Sequence, residues 1–184
     1  MCKNSNSDLF GQENQTNGKV YEGTPGFEQL DIQEIPLEIL THTLAKQQMP
    51  VSGGWGYSPE DAAVIEVDDE DEGVHLEYQF MEGRSYLEMM KCRAKGVKLA
   101  GYYVERKMQS LTFGENGKPY DRLTMEVTTF LEEDYDFLIS ELEKHNGFEG
   151  DEEGQRQFLE LQESKKIKYV VEGWFDISRF YGKY

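Results

Sequence analysis

Cysteine is scarce in this 184-residue sequence, and long hydrophobic runs are missing from it. The two cysteines, Cys2 and Cys92, lie far apart in the chain, so they do not form the framework of a disulfide-rich secreted domain. No apolar run approaches the roughly 20 residues that a membrane-spanning helix needs. The first residues also lack the apolar stretch of a signal peptide. These absences predict a cytoplasmic protein, with one alternative, a lipoprotein whose mature form begins near Cys2.

Basic residues are also few, since 19 lysines and arginines against 36 aspartates and glutamates give a formal net charge of −17. A field of this sign repels nucleic-acid phosphates and anionic lipid headgroups, so neither nucleic acid nor a membrane is an expected partner. The same field attracts positively charged proteins, and a basic protein partner is the sharper interpretation of the composition. The plainer interpretation is that the charge keeps the protein soluble.

Motifs that carry known chemistry are missing as well. The histidines and cysteines do not stand at metal-binding spacing, and the zinc motifs HExxH and CxxC do not occur. The phosphate-binding glycine motifs and the GxSxG serine-hydrolase motif are also missing. Cys92 is interpreted as a structural cysteine rather than a nucleophile. The sequence therefore predicts no cofactor, no metal and no identifiable catalytic residue, and it favours a non-catalytic protein over an enzyme.

The clearest pattern present lies between Lys98 and Leu131, and it predicts two long strands joined by a tight turn. From Tyr120 onward, apolar and polar side chains alternate, as expected for a strand with one buried face. The dipeptide Asn116-Gly117 tolerates the backbone angles of a tight hairpin turn. In the first strand the alternation breaks around residues 105–107, which predicts a β-bulge.

Similar patterns divide the rest of the chain. Residues 1–26 are polar and are predicted to be a flexible tail, followed by a single domain over residues 27–184. Gly173 is expected to mark a bulge or bend in the last strand. The other predicted elements are helices over about 36–49, 132–145 and 151–166, strands over Ala62–Val67, Val74–Phe80 and Ile167–Ile177, and an ambiguous segment over 84–95, favoured as a short helix.

The densest charge run separates two of these predicted strands. Ala62–Val67 and Val74–Phe80 are expected to pair as a hairpin, with the acidic run as its solvated turn. Aligned as a calcium loop, the run places Gln79 where a bidentate glutamate is required, so calcium is not expected. The carboxylates of the run are the predicted contacts for a basic partner, and they belong to Asp68, Asp69, Glu70, Asp71 and Glu72.

A second candidate site is the stretch from Val51 to Asp61, in which three glycines surround a tryptophan. One interpretation is a ligand-facing loop, in which Trp55 and Tyr57, joined by Trp174 from the last strand, stack on a small molecule. The favoured interpretation is a tight connection whose aromatic side chains cap the core.

Strands joined mainly by hairpins predict an α+β fold, with a mainly antiparallel sheet of about five to six strands and two to four helices packed on one face or end. Three classes of function remain. The favoured class is a non-catalytic protein of inhibitor, immunity or regulatory type that binds a basic partner. The alternatives are a small-ligand-binding protein or enzyme using the loop at 53–57, and a structural or accessory domain. The oligomeric state is not specified by any of these patterns.

Overall fold

A computed structural model of the chain describes residues 20–21, 29–43, 49–91 and 97–182. Within these ranges, four helices accompany a single mixed sheet, so the fold is α+β. The strands are β1 (Val20–Tyr21), β2 (Val51–Gly53), β3 (Ala63–Ile65), β4 (Leu99–Phe113), β5 (Pro119–Leu131) and β6 (Ile167–Asp176); the helices are α1 (Glu38–Thr43), α2 (Glu70–Lys91), α3 (Glu132–Lys144) and α4 (Glu152–Lys165).

Five strands lie side by side in the order β2-β3-β6-β5-β4. Antiparallel pairing joins β2 to β3 and links β4, β5 and β6, which confirms the predicted mainly antiparallel sheet. Two pairings differ from that expectation, because β3 runs parallel to the end of β6 and the two-residue strand β1 runs parallel to its start. β1 lies inside the segment predicted to be a tail, and the rest of residues 1–26 lies outside the described residues.

The long hairpin predicted from alternating side chains is confirmed. β4 and β5 pair from Leu99 opposite Leu131 to Phe113 opposite Pro119. A register shift follows Arg106, where the broken alternation predicts a bulge, and a second shift follows Ala100. Because one extra residue enters β4 at each shift, the strand changes which side chains it presents to the two faces of the sheet.

The prediction for Val74–Phe80 is wrong, because these residues belong to helix α2 and not to a strand. The acidic run before them is not a hairpin turn but the start of this helix, where Asp69 Oδ1 accepts a hydrogen bond from the backbone nitrogen of Glu72 at 2.9 Å. An aspartate in that position caps the helix, and further carboxylates in the first turn complement the helix dipole. Val74–Phe80 therefore does not pair with Ala62–Val67, and β3 pairs with β2 and β6 instead.

Burial along α2 explains why the alternating apolar and polar side chains of Val74–Phe80 led to the wrong prediction of a strand. Three charged side chains, Glu77, Arg84 and Glu88, are buried in the same helix face as the apolar ones. These charges interrupt the apolar stripe that would identify a helix from sequence. Val74 and Tyr78 are half-buried on the flanks of that face, and together with Leu76 and Phe80 they produce an apolar residue at every second position.

Helix α2 covers one face of the sheet, which we call the inner face. Its side chains pack with those of β5 and β6 in the main hydrophobic core. At Gly173 the pairing of β5 with β6 continues without a register shift, so the predicted bulge is wrong. A Cβ atom at this position would overlap the Sδ atom of Met81, and the glycine therefore allows α2 to approach β6 closely.

Helices α3 and α4 follow β5 and lead back to β6, and both were predicted. They meet the opposite, outer face of the sheet at the end of β5, where Phe130, Leu138 and Phe158 form a separate small core. An ion pair of 2.7 Å between Lys165 and Asp134 also joins the two helices. We call the unit from Glu132 to Lys165 the acidic hairpin.

Candidate functional site

The loop at 53–57 packs into the core. The Trp55 side chain is only 1% exposed, its ring centroid lies 5.8 Å from that of Phe80, and its Nε1 donates a hydrogen bond to the carbonyl oxygen of Ile35 at 3.1 Å. Tyr57 is half-buried in the same region. Trp55 therefore contributes to the core, as the favoured interpretation of this loop expects.

Trp174 is the third aromatic residue of the predicted ligand site, and it lies elsewhere. It is the register partner of Arg122, on the outer face of the sheet. Its ring makes an edge contact with that of Tyr120, and the Arg122 guanidinium lies 5.6 Å from its centroid. The structure thus brings Trp55 and Tyr57 together and places Trp174 on a different surface.

A buried arginine fixes the loop to α2. The guanidinium of Arg84 donates hydrogen bonds to the carbonyl oxygens of Trp55 at 2.9 Å and Gly56 at 3.1 Å, and it reaches the carbonyl oxygen of Glu172 on β6. Its Nε atom lies 3.3 Å from Glu88 Oε1, and both side chains are almost fully buried. Arg84 therefore joins three separate segments of chain at one point.

Tyr57 completes this network. Its hydroxyl donates to Glu88 Oε1 at 2.6 Å and accepts a hydrogen bond from the backbone nitrogen of Leu30 at 2.9 Å. The Arg84 guanidinium lies 4.5 Å from the Tyr57 ring centroid, a cation–π distance. Burial raises the pKa of the Glu88 carboxyl, against the opposing effects of Arg84 and the Tyr57 hydrogen bond. The Tyr57 hydroxyl and the terminal guanidinium nitrogens of Arg84 are engaged within the chain, while Glu88 Oε2 has no hydrogen-bond partner among the described residues. These contacts indicate a structural role for the loop.

Gly56 provides a first test of this structural role. It has a φ of +76°, and a Cβ atom there would lie 2.9 Å from the carbonyl oxygen of Trp174. Gly117 in the β4–β5 turn has nearly the same φ, +75°, but open space around it. We expect Gly117→Ala to cost roughly 1 kcal/mol of backbone strain and Gly56→Ala roughly 2–4 kcal/mol, because strain and overlap add. Urea denaturation measures both; equal losses would contradict the close approach of loop and strand.

The acidic run 68–72 is exposed at the start of α2. Part of it is already engaged within the chain, because Asp68 lies 3.3 Å from the guanidinium of Arg179 and Asp69 caps the helix. The run therefore has a structural function in addition to the partner contact predicted for it.

The acidic hairpin carries far more charge than this run. Between its ends the sequence holds 12 aspartates and glutamates against 3 lysines and arginines. Each of those three basic side chains contacts a carboxylate of the same hairpin: Lys144 with Glu141, Arg156 with Glu153 and Glu160, and Lys165 with Asp134. The outward field of the hairpin is therefore strongly negative.

Three large apolar side chains are exposed on the same hairpin. Phe137 is 46% exposed, Ile139 is 37% exposed and Leu159 is 54% exposed. Single exposed apolar residues are common on protein surfaces, but here three accompany one charged unit. Exposed apolar side chains rimmed by polar residues occur at surfaces that contact another protein.

A pocket of about 430 Å³ lies between the acidic hairpin and the outer face of the sheet. It combines aromatic surface with charges of both signs, and it includes residues from β4, β5, α3, α4 and β6. Sequence reasoning did not find this pocket, because its walls meet only through strand register and helix packing. The side chains that define its character belong to Tyr103, Glu105, Glu126, Tyr135, Lys166 and Lys168.

A buried acid pair on the inner face was also missed. Glu77 is 0% exposed and Asp121 is 8% exposed, and the Nε2 atom of Gln109 lies 3.4 Å from a carboxyl oxygen of the former and 2.6 Å from one of the latter. The Tyr78 hydroxyl donates to Gln109 Oε1 at 2.6 Å. Burial, followed by the nearby charge of Asp121, raises the pKa of Glu77 to about 9. Both carboxyls are enclosed, so this pair affects the stability of the fold and is not accessible to a substrate.

The described residues include no helix long and apolar enough to cross a membrane, and no cluster of three or more potential metal ligands. Cys92 lies outside the described residues. No known family model matches the chain, and neither a curated protein nor a solved structure shows significant similarity to it.

Proposed function

We propose that this protein is a non-catalytic binding protein and that its acidic hairpin contacts a basic protein partner. The observation that carries the proposal is the combination of 12 acidic residues with three exposed apolar side chains on one helical unit. Complementary charge accelerates and orients association, while apolar contacts supply most of the affinity. The hairpin offers both to a partner with the opposite charge.

The other acidic surface has less support as the centre of the interface. Asp68 and Asp69 are used within the chain, and the run offers the partner no large exposed apolar side chain. We assign Asp71 and Glu72, with the rest of the run 68–72, a secondary role in attracting the partner over distance.

Affinity capture from the native source, at about 50 mM salt, tests the proposal with three forms of the protein. The first is unchanged, the second carries Phe137→Ser and Leu159→Ser, and the third carries Asp71→Asn and Glu72→Gln. We expect the unchanged form to retain a basic protein, the second form to bind it at least tenfold more weakly, and the third to lose only a few-fold. Raising the salt to about 300 mM should weaken the complex, since surface charges are then screened.

Two results would contradict the proposal. One is a retained partner that is acidic or neutral and unaffected by salt. The other is equal binding by the unchanged form and the Phe137→Ser, Leu159→Ser form, which would move the interface away from the hairpin. Circular dichroism of all three forms ensures that a loss of binding is not a loss of folding.

A further inference from the structure

We propose that the pocket between the acidic hairpin and the outer face binds a short zwitterionic peptide, about the size of a dipeptide. Its amino group would lie near Glu105 and Glu126, and its carboxylate near Lys166 and Lys168. A volume of about 430 Å³ is within the range of small-ligand sites. The proposal does not depend on the basic partner, because the exposed side chains Phe137 and Leu159 do not line the pocket.

The register of the sheet places the acidic and the basic end of the pocket in neighbouring rows of the outer face. Tyr103 pairs with Thr128, which in turn pairs with Lys168, so these three form one row across the outer face. Glu105 pairs with Glu126 in the next row. Rows two residues apart on a strand are separated by about 7 Å. A dipeptide in extended form covers such a separation between its amino and carboxyl groups.

The acidic end of the pocket, formed by Glu105 and Glu126, carries one negative charge that no neighbouring cation among the described residues balances. Lys107 Nζ lies 3.1 Å from a carboxyl oxygen of Glu105 and 3.2 Å from one of Glu126. Two carboxylates thus share a single ammonium group. A ligand ammonium placed here would balance the remaining charge, and Glu126 is sheltered enough, with its side chain 18% exposed, for the contact to exceed that of an open surface pair.

The basic end has the opposite imbalance. Lys166 and Lys168 share the single carboxylate of Glu163, at 2.6 Å and 2.8 Å. Hydrogen bonds from these two lysines lower the pKa of Glu163 to about 2, so it remains ionised at neutral pH. Two ammonium groups with one carboxylate leave one positive charge, which a ligand carboxylate would balance. The pocket therefore matches a ligand that carries one charge of each sign.

Aromatic rings also line the pocket. Tyr103 is 64% exposed at the rim, and the ring of Tyr135 lies 6.0 Å from that of Phe130. The Tyr135 ring packs on the backbone of Gly101, where a Cβ atom would come within 2.7 Å of it. These rings favour an apolar or aromatic side chain on the peptide.

The dipeptide phenylalanyl-alanine and two capped forms of it test the proposal in an NMR titration of the whole chain. N-acetylation removes the amino charge, and C-terminal amidation removes the carboxylate. We expect the free dipeptide to bind with a dissociation constant of about 1 mM or tighter, and each capped form to bind about tenfold more weakly. The shifted resonances should include those of Tyr135 and Phe130.

Matched variants assign each charge to its wall. In Lys168→Met, the free dipeptide should bind as weakly as its amide, and the affinity for the amide should not change. In Glu126→Gln, the free dipeptide should bind as weakly as the acetylated form, and the affinity for the acetylated form should not change. Arg122→Gln changes a charge on the same sheet face outside the pocket, and it should leave binding unaltered. Equal binding of free and capped forms, or no saturable shifts at about 10 mM dipeptide, would overturn the proposal. An equal loss of dipeptide affinity in Arg122→Gln would also overturn the proposal. A failure to capture the basic partner would contradict only the proposed function and not the peptide site.

Discussion

Replacing Arg84 with methionine is expected to lower the free energy of unfolding by about 3–5 kcal/mol. Arg84 is buried with Glu88 and donates hydrogen bonds to the carbonyl oxygens of Trp55 and Gly56. Methionine fills a similar volume, but it leaves the Glu88 carboxylate buried without its cation and several carbonyl oxygens without donors. Removing one member of a buried ion pair costs far more than the pair contributes, because the remaining charge cannot regain its water.

Urea denaturation measures this loss, and two further variants identify its cause. The double variant Arg84→Met, Glu88→Met removes both buried charges, and we expect it to recover a large part of the stability. Arg156→Met removes an arginine from an exposed pair on α4 and should leave the free energy of unfolding almost unchanged. A single-variant loss near that of Arg156→Met would show that Arg84 does not hold the loop to the helix.

The folded chain is expected to lose stability as the pH rises from about 5 to 9, through the titration of Glu77. Its pKa is raised to about 9 in the folded chain, whereas an exposed glutamate has a pKa near 4.3. Between these values the folded state holds a proton that the unfolded state has released. Stability therefore falls with rising pH, by up to about 1.4 kcal/mol per pH unit, and this contribution is fully present only below the lower value.

Glu77→Gln should flatten this dependence, because glutamine has no proton to lose and keeps the size of the side chain. The exposed Glu82 on the same helix provides a matched control for the substitution, and Glu82→Gln should keep the fall in stability with rising pH. The unfolding free energies of the three forms, measured by urea at half-unit steps, decide the matter. Parallel curves for Glu77→Gln and the unchanged protein would show that the carboxyl is already ionised in the folded chain. Glu88, whose pKa is also raised, contributes in the same direction in all three forms.

The local sequence pattern was sufficient to predict the β4–β5 hairpin. β5 buries apolar side chains at alternate positions, and the register of β4 shifts after Arg106. The local pattern was also sufficient for α3 and α4, which both begin with carboxylates and end with a lysine. Asp151 caps the start of α4, whereas Leu131 provides no side-chain cap for α3.

The local pattern failed for the first half of α2, where Val74–Phe80 was predicted as a strand, while the helix favoured over 84–95 is confirmed as far as Lys91. The buried charges Glu77, Arg84 and Glu88 replace apolar residues on the core face of this helix. The spacing of Glu77, Arg84 and Glu88, at intervals of seven and four residues, places these three charges on one face of a helix.

Contacts between distant segments were not predictable from local pattern. The parallel pairing of β3 with β6 joins residues more than 100 positions apart, such as Ala63 and Phe175. The candidate pocket has the same origin, because Tyr103 and Lys168 lie in one row only through the register of β5 between them. The proximity of Trp55 and Tyr57 was predicted because it is local, while the network that encloses them was not.

The position of the acidic hairpin in the chain has a consequence for how such a protein can diversify. β5 and β6 are antiparallel neighbours, a pair that a two-residue turn is enough to connect, yet residues 132–166 lie between them. These residues pack with Phe130 of β5 in the small outer core, and none of them belongs to the inner core under α2. The sequence of residues 132–166 can therefore vary, and the partner that this segment recognises can change, while the sheet and α2 stay the same.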